Sequence, residues 1–152
     1  MRVSESERLA ALSNAVREST LKRLRRVKSG RENWRPLAGA MSFAEMAGHL
    51  IDADKWLFEK LRDESIMSMQ GAADASRIVS PDEYLALLKQ LRRTGTDREK
   101  LIRELSDSQF AKVVPDDRFE DPVTVWWVIV RGNLDHEIHH RGQLATYLRI
   151  VS

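Results

Sequence analysis

The 152-residue chain has no cysteine, which removes disulfides, thiolate metal ligands, iron–sulfur clusters and cysteine nucleophiles together. Any metal site must be built from histidine and carboxylate. Glycine and proline are scarce, at 7 and 4 residues, so the composition is neither collagen-like nor that of a disordered Pro/Gly-rich segment. Long apolar runs are missing as well. The longest, residues 123–130 with Thr124 inside it, is far below the roughly 18 residues a membrane span needs. The opening Met1-Arg2-Val3-Ser4-Glu5-Ser6-Glu7 has no apolar stretch of the signal-peptide kind, so a cytoplasmic protein is the default expectation. Charge of one sign is also short: Lys plus Arg is 25 and Asp plus Glu is 23, leaving +2. That balance permits a nucleic-acid partner without implying one. No G-x-S-x-G elbow, P-loop or G-x-G-x-x-G occurs, which leaves serine hydrolase, NTPase and dinucleotide chemistry without support.

With 42% hydrophobic and 32% charged residues, the chain reads as one globular domain over residues 1–152, rich in helix formers. Leu9, Leu12, Val16, Leu24 and Val27 recur at helical spacing, predicting a first helix from about residue 4 to a stop at Ser29-Gly30. Ser42-Phe43-Ala44-Glu45 is a capping box, and Phe43, Met46, Leu50, Ala53, Leu57 and Leu61 continue it as an apolar stripe to about Arg62. Residues 63–79 lack a period and read as a crossover loop with room for a short helical turn. Ser80-Pro81-Asp82-Glu83 opens a third helix carrying Tyr84, Leu87, Leu88, Leu91, Leu101 and Leu105, with Gly95 marking a bend or a close helix approach. After a connection over residues 106–120, Asp121-Pro122 reads as the start of a fourth helix. The β-branched and aromatic run 123–130 also fits a buried strand, but Leu134, Ile138, Leu144 and Leu148 extend it at helical spacing. The expected fold is all-α, a four-helix bundle with a long crossover connection.

Four histidines are present, and their placement is the most informative feature. His136 and His140 stand one helical turn apart and project from one face, while His49 lies on the apolar side of the second helix. If those helices are neighbours, three imidazoles converge inside the bundle on one divalent ion. His139 points about 60° away from His136 and reads as a surface or supporting histidine. His136-Glu137-Ile138-His139-His140 formally matches the H-E-x-x-H of zinc proteases. The metzincin extension fails, because Gln143 and Thr146 stand where Gly and His are required. A di-iron bundle needs Glu-x-x-His twice, and here it occurs once, as Glu137-x-x-His140.

Two segments resemble the DinB/YfiT-like metal-binding proteins. Ser42-x-x-Glu45-x-x-x-His49 is similar to that family's motif on helix two, and His136-x-x-His139-His140-Arg141-Gly142-Gln143 is similar to its H-x-x-H-H-R-G-Q on the last helix; Trp34-Arg35-Pro36 fits as well. The resemblance implies a four-helix bundle, a homodimer, and a divalent ion on three histidines, which transfer to His49, His136 and His140. Some relatives are thiol S-transferases or isomerases that use low-molecular-weight thiols; others are described as hydrolases or as damage-inducible proteins.

Three neutral imidazoles leave an ion its +2 charge and an open position, the ligand count of a catalytic centre. Histidine-only ligation suits zinc or nickel and also admits iron, manganese, cobalt or copper. Such an ion acidifies a bound water or thiol. The thiol would be a cosubstrate, since the chain has no cysteine of its own. Glu137 is the general-base candidate by residue type. Glu45, Asp52 and Asn133 are candidates to orient the ligand rings. Trp126, Trp127 and Tyr147 read as core residues or dimer contacts before pocket walls, and Arg141 as a holder of either an anionic substrate group or an acceptor on a neighbouring helix. A small-molecule substrate follows, with a non-catalytic metal-binding stress-response bundle as the alternative. Lys22, Arg23, Arg25, Arg26, Lys28 and Arg31 form a basic cluster that reads first as a solvated helix end, and only secondarily as a nucleic-acid contact.

Overall fold

A computed structural model describes residues 2–69 and 80–151. Helix α1 spans Glu5–Leu24, α2 Phe43–Arg62 and α3 Pro81–Arg103; a short α4 covers Asp107–Ala111. Strands β1 (Val113–Val114) and β2 (Val123–Thr124) pair antiparallel, Val113 opposite Thr124. The last helical rod runs as α5 (Val125–Ile129), a π-turn (Val130–Leu134) and α6 (Asp135–Val151). The expected four-helix bundle is what the chain forms. Among the described residues no helix is long and apolar enough to cross a membrane.

Local chemistry sets the helix starts. Ser4 and Ser42 each accept from the amide three residues on, and Glu7 and Glu45 return a bond to the cap amide, closing both capping boxes. Ser80 accepts from the Glu83 amide, with Pro81 in the first turn. Three expectations need correction. The first helix ends at Leu24, because residues 25–27 tighten into turns before Gly30, whose φ of 91° suits glycine alone. The connection over 106–120 is partly ordered into α4 and β1. The final helix starts at Val125, not at Pro122, because Val123 and Thr124 are taken by the strand pair and Thr124 Oγ1 caps the Trp127 amide. The crossover expected over residues 63–79 is described only to residue 69, where it is turn and irregular chain; its remainder lies outside the described residues.

Two apolar clusters fill the bundle. One gathers Leu21, Leu24, Phe43, Met46, Leu50, Leu91, Leu144 and Tyr147; the other gathers Leu9, Trp56, Leu57, Ile102, Phe110, Val128, Ile129 and Leu134. Along each long helix a buried polar group separates them: Ser13, Arg17 and Thr20 on α1, Asp54 on α2, Thr94 and Arg98 on α3, Asn133 and Glu137 on the last rod. Arg17 donates to Asp54 Oδ2 and Glu137 Oε1, each at 2.7 Å, and Arg98 donates to Glu137 Oε1 at 2.7 Å and Asn133 Oδ1 at 2.9 Å. Two guanidiniums thus face two carboxylates inside the protein, which is the condition under which buried charge is tolerated.

Candidate metal centre

His49 comes from the middle of α2, and His136 and His140 from the first turns of α6. Because α6 follows the π-turn without a break, one helical turn sets His136 above His140 on the side facing α2. The ring centroids are 4.7, 4.9 and 4.5 Å apart for the pairs 49–136, 49–140 and 136–140. His136 Nε2 lies 2.8 Å from His49 Nε2 and 3.1 Å from His140 Nε2. Nitrogens sharing a tetrahedral zinc would stand about 3.3 Å apart, given zinc–nitrogen bonds of about 2.0 Å. The three histidines are a group that could hold a metal ion.

Hydrogen bonding alone does not satisfy this arrangement. His140 Nδ1 donates to Gln143 Oε1 at 2.7 Å, so the neutral ring has a lone pair at Nε2. His136 Nε2 faces that lone pair and His49 Nε2 at once, yet a single N–H can point at only one of them. His136 Nδ1 is buried with no hydrogen-bond partner, so moving the proton there gains nothing. One cation at the convergence takes all three Nε2 lone pairs, an attraction that outweighs leaving the His136 proton on its buried Nδ1, and the donor set therefore fits a metal ion.

The electrostatics agree. Burial, followed by the neighbouring His140, His49 and His139 and by Arg118, lowers the His136 pKa to about 3. Burial also lowers His49, against a raising effect from Asp52, and lowers His140, against a raising effect from its Gln143 bond. The rings are neutral at neutral pH, the form that ligates.

Glu137, expected as the general base, is not brought to the histidines. It is 1% exposed, accepts from Arg17, Arg98 and Thr20, and burial's upward push on its pKa is outweighed by the Arg98 charge and then by Arg17 and Thr20, giving about 2. Such a carboxylate is a structural counter-ion and a poor base. The other candidates divide similarly. Glu45 is used by its capping box and by an ion pair with Arg35. Asn133 serves Arg98 and the Ala53 carbonyl. Asp52 reaches His49 only through its charge. Trp126 donates to Glu5, Trp127 packs on Phe119, and Tyr147 belongs to an aromatic cluster with Trp34 and Phe43. His139 and Arg141 stand on the outer side, exposed and half-buried.

Beside His136 opens a cavity of about 170 Å³, lined by Ala53, Trp56, Ser68, Met69, Arg118 and Gly132 together with His136. The sequence held a signal for part of it: His49, Ala53 and Trp56 recur on one face of α2, and Gly132 and His136 on one face of the last rod. Arg118 arrives from a distant loop, and neither its role nor that of Gln143 was legible from spacing.

The fold and the site define an all-α bundle with a histidine cluster between two of its helices. The family model for the DinB superfamily matches residues 13–144, and the chain belongs to that superfamily. Among solved structures it is similar to a DinB-like protein, YjoA, from Bacillus subtilis, with a TM-score of 0.68 at 16% identity, covering 93% of this chain and 90% of that one. No curated protein matches the chain.

Proposed function

We propose that this protein is a divalent-metal-dependent enzyme of the thiol S-transferase or hydrolase type, built on a mononuclear site of His49, His136 and His140. The observation that carries the reading is the convergence of three imidazole Nε2 atoms in an arrangement hydrogen bonds leave unsatisfied. Zinc or nickel on three neutral imidazoles retains its charge and an open position, and so supplies an acidified water or thiol near neutral pH. The chain's own groups do the rest. Gln143 fixes the His140 ring with Nε2 inward. Burial keeps the imidazoles neutral, each with a lone pair to offer. The cavity beside His136 has room for a small molecule next to one of the three histidines. With no cysteine in the chain, any thiol is a cosubstrate.

The test is metal content per chain in freshly purified protein, wild type beside His49→Ala and His136→Ala. Stoichiometric zinc or nickel in wild type, lost in both variants, supports the centre, and a wild type that takes up neither overturns it. Turnover of thiol-transfer or hydrolytic probe substrates then separates the enzyme from a bundle whose ion only stabilises it. In the enzyme, His140→Ala abolishes turnover in a folded protein; in the stabilised bundle, the same change chiefly lowers Tm.

A further inference from the structure

We infer that the cavity beside His136 is an anion subsite, with Arg118 as the group that grips a carboxylate of a small organic acid and Trp56 as its apolar wall. The inference rests on the metal-centre reading for the role of the site, but it is built from different residues.

The guanidinium of Arg118 lies over the Trp56 ring, 4.4 Å from its centroid, a stacking that holds a cation flat against the wall. Its Nε donates to Asp116 Oδ1 at 2.9 Å and its Nη2 to Asp116 Oδ2 at 2.5 Å, while Nη1 reaches the Gly132 carbonyl at 3.3 Å. Of five guanidinium N–H groups, those three bonds leave two unused, one on each terminal nitrogen. The side chain is 31% exposed, and it lines the cavity beside His136. Asp116, by contrast, is fully buried on its side chain, and its charge is shared with Lys60. The carboxylate therefore orients the guanidinium from behind without closing the cavity.

The backbone is shaped to admit this group. A Cβ at residue 132 would stand 2.6 Å from Arg118 Nη2 and 3.2 Å from Nη1, so the guanidinium would have to shift from its place to make room. Glycine in the π-turn thus makes the space in which the guanidinium sits against the helix that carries His136. π-turns inside α-helices are frequent at functional sites. On the other wall, Ala53 and Trp56 stand on one face of α2, the face that also carries His49. The cavity therefore brings together an imidazole of the candidate metal centre and the Arg118 guanidinium. A ligand that fits is short, carries a carboxylate toward Arg118 and presents its reacting group toward His136. The cavity volume of about 170 Å³ is below the range typical for drug-sized ligands, which favours a small acid over a polymer or a long chain.

The experiment is a fluorescence titration of zinc-loaded protein with succinate and with glycolate, read on tryptophan emission, with Trp56→Phe to assign the signal and succinamide as the uncharged control. Saturable quenching by the acids and not by succinamide is expected, weakened at least about tenfold by Arg118→Gln, the loss that follows from removing a charge-assisted bond. Ala53→Val, which narrows the cavity and leaves Arg118 and Asp116 in place, should weaken binding as well and covers the case in which Arg118→Gln perturbs its loop. Zinc content is measured on the same samples and should be unchanged by either substitution. Equal binding of acid and amide, equal affinity in wild type and both variants, or no response to either acid overturns the subsite. If wild type takes up no zinc, the metal-enzyme reading falls by itself, and the same titration on metal-free protein still decides whether Arg118 binds a carboxylate.

Discussion

Gln143 is a single side chain that decides what His140 can do. Its Oε1 accepts from His140 Nδ1 at 2.7 Å, which fixes the tautomer and turns Nε2 toward His136 and His49. Ligand histidines usually need such a partner, and losing it costs roughly 10–100-fold in metal affinity. Gln143→Leu should therefore weaken zinc binding by that order in competition with a chromophoric chelator, and Gln143→Glu, which keeps an acceptor, should restore most of it. Equal affinity in wild type and Gln143→Leu would show that the ring is held by packing alone. Glu137, one residue from His136, makes the opposite point. By sequence it is the natural base of an H-E-x-x-H pattern, yet it points away from the histidines into a pair of guanidiniums. Spacing tells which residues share a helix face and says nothing of what the neighbouring helix presents there.

At the scale of elements, α1 and α3 meet at Gly95. A Cβ added there would lie 2.7 Å from both Cγ and Nη1 of Arg17. That arginine cannot easily move, because it is held by Glu137, Asp54, Thr94 and the Leu91 carbonyl. Gly95→Ala gains about 1 kcal/mol of helix propensity and meets an overpacking cost of about 1–3 kcal/mol with disruption of charged contacts. The expected result is net destabilisation, read as a lower urea midpoint, although glycine to alanine in a helix ordinarily raises it. The close approach at Gly95 was legible as a glycine inside a strong helical pattern. The capping boxes at Ser4 and Ser42 and the stripe of α2 were equally local, and so were readable. The start of the last helix was not, because Asp121-Pro122 is a good local start signal that loses to pairing between Val113–Val114 and Val123–Thr124. Thr124→Ala removes the cap that the structure uses, and should cost about 1 kcal/mol, while Asp121→Ala should be near neutral. The same comparison at the histidines is instructive: i and i+4 placed His136 and His140 together, but the nearness of His49 depended on which helices became neighbours.

Across the whole molecule, the charged layer between the two apolar clusters ties all four long helices together at the level of the histidines. Sequence alone shows Arg17, Asp54 and Arg98 as ordinary helix charges and Glu137 as a candidate base, and only packing reveals that the four are buried and matched. Their pairing predicts acid sensitivity with a definite sign. The Glu137 pKa falls from 4.5 unfolded to about 2 folded, so its contribution is fully present above about pH 4.5 and is lost as pH falls toward 2. A shift of that size corresponds to about 3 kcal/mol. In metal-free protein the histidines act over a higher, overlapping range. The His136 pKa is lowered from 6.5 to about 3, so the unfolded chain takes up that proton first and stability declines as pH drops below 6.5. Comparing wild type with Glu137→Gln separates the two, because both proteins keep the histidines. The variant should be less stable at neutral pH by about 3–5 kcal/mol, the effect of leaving buried cations short of a partner. Its urea midpoint should then fall less steeply than that of wild type between pH 4.5 and 2, since no carboxylate at position 137 remains to be protonated. Parallel profiles through that window would mean that Glu137 is not the group whose protonation loosens the layer.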